Sequence, residues 1–367
     1  MRAAVLRDVG VLELSDVPEP EPVGADSVLV RMGAVGVCGS DVLRYAKGKG
    51  YGFPLVLGHE MSATVAEPSP SGRLRAGDRV AVFPCLPVAD DPMTEIGEFV
   101  LGEGYDYFGS RRDGGMQELL RVPERNLVPL APGMSLIQGA MVEPAAVALH
   151  AMRKVHVPAD ATALVIGAGP IGLLAAQWLR VLGVIRVLVA DVDERKRAIA
   201  AHLGFETIDA TASGSDAQAR ELTGGRGVDI AVEASGLAVT LLQAIHATAA
   251  RGQLVIVGDL SQDVTIPAAT VSTLLRREVT VYGTWNSRIA PRGNSEWDMV
   301  VNAIAEGRVR VDDLVSSVAT LDEAPHVFAA LASRATWANK TIFAISEDAA
   351  AEAADALARS LSARRGE

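Results

Sequence analysis

The stretch Ala163-Leu-Val-Ile-Gly-Ala-Gly-Pro-Ile-Gly-Leu-Leu-Ala-Ala176 decides the fold. Its first four residues read as a short buried strand. Gly167-Ala-Gly-Pro-Ile-Gly172 then fits G-x-G-x-x-G, and a helical stretch follows over 173–182. Alone the glycine pattern says little, because the chain carries 35 glycines. Its setting is what counts. A strand precedes it, a helix follows, and Asp191 ends the next apolar run, Val187-Leu-Val-Ala190, at 191 − 172 = 19 residues past the last glycine. Gly167 permits the tight turn, Gly169 lets the backbone approach a pyrophosphate, and Gly172 lets helix and strand pack closely. The amides and positive dipole at the helix start, where Pro170 and Ile171 complete the loop, suit phosphates. Asp191 can accept a hydrogen bond from a ribose 2′-hydroxyl and would repel a 2′-phosphate, which favours NAD over NADP. Arg195 and Lys196 lie close by and weaken that preference. Lys196, and Val257 and Thr284 at the ends of later strands, are further nucleotide candidates.

Outward from this loop the chain alternates. A helix is expected over 193–203, strands at Asp229-Ile-Ala-Val232, Gln253-Leu-Val-Ile-Val257 and Val279-Thr-Val-Tyr282, and a helix after Gly236. Fully apolar strands alternating with helices predict an α/β domain, a doubly wound parallel sheet, over 151–285. Residues 1–150 read instead as strands and turns, such as Ser27-Val-Leu-Val-Arg-Met and Arg79-Val-Ala-Val-Phe, bounded by Pro and Gly clusters. No periodic helix is expected there before Ser135, the N-cap of a helix that would carry Glu143. Residues 286–346 are expected to return to the first domain. The tail, 347–367, rich in Ala, Glu and Arg, could form a marginal helix but reads first as a solvated extension that frays.

With 34 basic against 45 acidic side chains, 34 − 45 = −11, the charge argues against nucleic-acid or anionic-membrane partners. No apolar run approaches the roughly 18 to 20 residues needed to cross a bilayer. The start, Met1-Arg-Ala-Ala-Val-Leu-Arg-Asp, turns polar too soon for an export signal. Cys38 and Cys85 alone cannot form a disulfide framework, and they read as thiols in a reducing, cytoplasmic setting.

Gly36-Val-Cys-Gly-Ser-Asp41, Leu57-Gly-His-Glu60 and Val142-Glu-Pro-Ala145 supply a thiolate, an imidazole and two carboxylates, ligand types that zinc accepts. Their spacing alone does not establish a site. Their company does more, because a β-rich domain followed by a dinucleotide domain supplies both halves of a hydride-transfer apparatus. In this order, over nearly the whole chain, these motifs resemble the zinc-dependent medium-chain dehydrogenases, in their polyol (sorbitol) branch. Phe108-Gly-Ser-Arg-Arg-Asp-Gly-Gly115, Leu275-Arg-Arg-Glu-Val-Thr-Val and Gly283-Thr-Trp-Asn-Ser, with Glu296-Trp297 downstream, carry the resemblance to the branch.

The resemblance implies a GroES-like catalytic domain with zinc held by Cys38, His59 and a glutamate, Glu60 and Glu143 being alternatives. It also implies a proton-relay hydroxyl at Ser40, with Asp41 orienting His59. Zinc would act as a Lewis acid that prepares a secondary alcohol of a polyol, polyol phosphate or cyclitol to give its hydride to NAD. A homodimer or homotetramer is implied as well. The family's second, structural zinc would fall on Val88, Asp91, Thr94 and Gly102, none of which supplies a thiolate, so one zinc per chain is expected. Arg111 and Arg112 could hold an anionic substrate group or simply be solvated. His150, His156, His202, His246 and His326 match no motif. Two competing readings are a zinc-free NADPH reductase on the same fold, and an inactive dinucleotide-binding relative.

Overall fold

The computed structural model describes residues 1–260, 262–290 and 295–365. The chain divides into two units. The first comprises Met1–Glu143, Arg288–Gly307 and Val311–Leu361; the second is chiefly Pro144–Ser287 with Arg308–Arg310.

In the second unit six strands form one parallel sheet, in the order Glu206–Asp209, Arg186–Asp191, Thr162–Ile166, Val228–Glu233, Thr248–Ile256 and Thr280–Gly283. The order reverses at Thr162–Ile166, the strand that feeds the glycine loop, and such a switch point is where open α/β sheets bind ligands. The strand runs are apolar because both faces are covered. Leu164, Leu188, Ala231 and Leu254 are buried in one core cluster with Leu241 and Ile245 of the helix Ala238–Ala247. The strand Glu206–Asp209 and the helix Ser215–Leu222 were not among the expected elements. The strand lies at the sheet's edge and buries only Ile208, so its sequence carries almost no apolar signal.

The first unit is built on a sheet ordered Leu127–Pro129, Arg79–Val82, Glu60–Val65, Ser27–Gly36, Lys340–Ala344 and Val315–Thr320, with Leu119–Pro123 also paired to Ser27–Gly36. A three-stranded sheet, Val11–Asp16, Arg2–Asp8 and Leu55–Val56, accompanies it. Three features differ from expectation. A helix, Gly39–Lys47, stands where no periodic helix was expected, closed by Gly48 in the left-handed region at φ 64°. Ser135 does cap a helix, its Oγ accepting from the Gln138 amide at 3.0 Å. That helix, Leu136–Ala140, stops at Met141, and Glu143 rides on a separate one, Val142–Met152. The tail is helical over Glu347–Arg365 rather than a fraying extension. It buries Ala349 and Ala356, and Glu352 accepts from the Leu136 amide at 2.7 Å while pairing with Arg79 at 2.6 Å. Among the described residues no helix is long and apolar enough to cross a membrane.

Candidate metal and nucleotide sites

Cys38, His59 and Glu60 each offer a ligand atom within 4.8 Å of the others, the one such group of three or more among the described residues. Local structure places each of them. Cys38 is the N-cap of Gly39–Lys47, and Asp41, three residues on, accepts its amide at 3.1 Å. His59 follows Gly58, whose φ of 95° demands glycine, and Glu60 opens its strand opposite Gly36. Gly36 leaves the room that Glu60 uses, since a Cβ there would overlap the Glu60 carboxylate.

Behind the cluster lie charges that fix it. His59 Nδ1 is 3.4 Å from Asp41 Oδ1, an ion-pair distance without hydrogen-bond alignment. Burial works to lower the His59 pKa, but Asp41 and then Cys38 outweigh it, so His59 lies well above its ordinary range. Burial works to raise Asp41, yet His59 and Arg44 hold it below the usual carboxylate range. Arg44 Nη1 donates to Asp41 Oδ1 at 3.2 Å and to Ser40 Oγ at 3.1 Å. Glu60 Oε2 is paired with Lys340 Nζ, both side chains 3% exposed, and Nζ also donates to the Val37 carbonyl at 3.1 Å. Glu143 lies outside the three-residue group. Tyr107 donates to its Oε1 at 3.2 Å, and burial pushes it up to about 7, the Glu60 charge adding while His59, Lys340 and Tyr107 pull the other way. Zinc suits this donor set, a thiolate, an imidazole and a carboxylate gathered among compensating charges.

Lys340, Tyr107 and Arg44 escaped the sequence reading. Lys340 carried the one available signal, a lysine heading the run Lys340-Thr-Ile-Phe-Ala344.

Where a structural zinc would sit, one carboxylate organises the lobe. Asp91 Oδ1 accepts from the Met93 and Thr94 amides at 2.8 and 3.3 Å, Oδ2 accepts from Glu103 at 3.3 Å, and a Cβ on Gly102 would stand 2.9 Å from Oδ1. Cys85 lies in a short strand paired with Asp106–Tyr107, and burial pushes its thiol up to about 12.

In the nucleotide loop, Gly167 has φ 106°, and Gly169 is the N-cap of Pro170–Val181. A Cβ on Gly172 would overlap the Gly167 carbonyl oxygen, whereas one on Gly169 would meet nothing within 4 Å. That open space over a helix N-terminus fits a phosphate. Asp191 Oδ2 accepts from Ala168 at 2.7 Å and Oδ1 from Asp193 at 2.8 Å, tying the loop to the end of Arg186–Asp191. Arg195 is engaged by Asp193, and Lys196 is half-buried beside it. Val257 donates to the Glu233 carbonyl at 2.9 Å. Among the described residues, Thr284 Oγ1 is buried without a hydrogen-bond partner. His156 is tied through its backbone to Gln253, and His246 to Thr270; neither joins a cluster.

Residues 24–132 match the family described as alcohol dehydrogenase GroES-like domain, and residues 170–306 match zinc-binding dehydrogenase. The chain belongs to the zinc-dependent medium-chain dehydrogenases, in the polyol dehydrogenase branch. Within that branch it is 32% identical over 321 residues to galactitol 1-phosphate 5-dehydrogenase of Escherichia coli K12, covering 86% of this chain and 92% of that one. A crystal structure of galactitol-1-phosphate dehydrogenase from Escherichia coli superposes with a TM-score of 0.87 at 30% identity, over 94% of this chain and all of that one. Bovine (Bos taurus) sorbitol dehydrogenase is 32% identical over 335 residues, 88% of this chain and 91% of that one. A zinc-binding dehydrogenase from Sinorhizobium meliloti, bound to NADP, has a TM-score of 0.84 at 28% identity, over 94% and 98% of the two chains.

Proposed function

We propose that this protein is a zinc- and NAD-dependent dehydrogenase that oxidises a secondary alcohol of a polyol, a polyol phosphate or a cyclitol. The convergence of Cys38, His59 and Glu60 carries the reading. Zinc, held by these three side chains, supplies a Lewis acid for the alcohol oxygen. With Asp41 at Nδ1, His59 keeps Nε2 for the ion. Lys340 engages Glu60 Oε2 and leaves Oε1 outside that pair. Glu143, with its carboxyl pushed up to about 7 and the Tyr107 hydroxyl upon it, acts from outside the three-residue group. Ser40 Oγ accepts from Arg44, a side chain that can only donate, so its own proton remains to be given elsewhere. This polarity suits a hydroxyl that passes the substrate's proton outward.

For the cofactor, Gly167, Gly169, Pro170, Ile171 and Gly172 hold the pyrophosphate, Asp191 takes the ribose 2′-hydroxyl, and Lys196, Val257 and Thr284 complete the site. The NADP-bound relative makes cofactor choice the point to test. Asp191→Ala should weaken use of NAD about 10-fold and narrow the gap to NADP. A wild type that already prefers NADP in steady-state kinetics would refute this role.

The decisive experiment combines metal analysis with a substrate panel that includes galactitol and galactitol 1-phosphate, read by absorbance of the reduced cofactor. The expected result is one zinc per chain, with both metal and turnover lost in Cys38→Ser and NAD binding kept. Two zinc ions per chain would contradict the single site, and full activity in metal-free Cys38→Ser would contradict the mechanism.

A further inference from the structure

We infer that Arg111 is a phosphate clamp, so that the alcohol substrate is a polyol carrying a phosphate monoester; this rests on the dehydrogenase reading above. The guanidinium of Arg111 lies between two aromatic rings, its carbon 4.4 Å from the centroid of Tyr51 and 4.4 Å from that of Tyr105. Its Nη1 donates to the Tyr105 carbonyl at 2.6 Å and its Nη2 to the Tyr51 hydroxyl at 3.0 Å. These contacts use two of the five N–H donors and set both rings against the guanidinium, leaving three donors for a ligand. Among the described residues no carboxylate pairs with Arg111, whereas its neighbour Arg112 is neutralised by Asp106 at 3.0 Å. A planar, pre-oriented, uncompensated fork matches a phosphate better than a hydroxyl.

Two further observations point the same way. The rings lead to the metal cluster, for Tyr105 stands 6.1 Å from Tyr107, and Tyr107 stands 5.9 Å from His59 and bonds Glu143. Lys47 and Lys49, four and two residues before Tyr51, are exposed in a chain whose net charge is −11. Lys47 and Lys49 make no ion pair among the described residues. A basic rim in an acidic protein gathers anions locally.

The test compares galactitol with galactitol 1-phosphate in the zinc-loaded enzyme with NAD. Wild type should favour the ester, and Arg111→Gln should lower kcat/KM for the ester by about 10- to 100-fold while changing the free polyol less than about two-fold. Arg111→Lys should recover part of the loss. Equal losses on both substrates, or none on either, would overturn the clamp in favour of a loop staple. Calorimetry of galactitol 1-phosphate binding gives a readout apart from turnover. Binding that depends on Arg111 without turnover of either compound leaves the clamp standing and counts against oxidation of a galactitol-type polyol. No binding and no turnover of the ester overturns the clamp. Inorganic phosphate binding as tightly as the ester would overturn the polyol-phosphate class in favour of a bare anion site.

Discussion

Gly169 and Gly172 lie three residues apart and answer to different constraints. At 172 a methyl group would overlap the Gly167 carbonyl oxygen and approach Val165 Cγ1 to 3.4 Å, so the fold itself needs glycine there. At 169 a methyl would enter open space, where the proposed cofactor's pyrophosphate would lie. Gly172→Ala should therefore cost on the order of 3 kcal/mol of stability, seen as a lowered melting temperature without cofactor. Gly169→Ala should melt like wild type but bind NAD about 10-fold more weakly. Equal melting temperatures for the two variants would contradict the distinction. The loop was legible in the sequence because its constraints act over a few residues. The metal cluster was legible only in part. Cys38, His59 and Glu60 announce themselves as ligand types, but the lysine that neutralises Glu60 sits 340 − 60 = 280 residues away. Only the pairing of Lys340–Ala344 against Ser27–Gly36, itself paired with Glu60–Val65, brings it there.

Among the elements, the apolar central strands declared themselves and the half-buried ones did not. Gly39–Lys47 was missed because it is short, opens on Gly-Ser-Asp and buries fully only Asp41 and Tyr45. The tail helix is secured by tertiary contacts, chiefly Glu352 on Arg79 and on the Leu136 amide, and propensity does not reveal these. The lobe around Asp91 is informative for function. Three amides converge on one carboxylate from both sides of the lobe, a role that a metal ion fills by gathering ligands. Asp91→Ala should thus destabilise the protein by about 1 to 2 kcal/mol and expose the lobe to limited proteolysis. A chelator should remove activity without increasing cleavage in the lobe. Cleavage there on chelation would show that a metal holds it after all.

At the scale of the whole molecule, the net charge of −11 and two cysteines narrow the partner classes but are silent on assembly. Strand order is what speaks to it. Thr280–Gly283 ends the six-stranded sheet, and among the described residues no strand pairs with its outer edge. Val281 of that strand is 43% exposed and Leu275 of the neighbouring helix, Ala268–Arg277, is 74% exposed. An unpaired edge bearing apolar side chains is a template for another strand, and a two-fold axis beside it would let the same strand of a second copy continue the sheet. Light scattering should accordingly give at least twice the chain mass of 38.4 kDa. The double variant Leu275→Glu with Val281→Glu should shift the protein towards the monomer, because like surfaces meeting across a two-fold axis bring like charges together. Both side chains already face outward, so circular dichroism and melting of the protomer should change little. A wild type that scatters as a monomer, or a double variant that stays fully associated, would remove this edge as the interface.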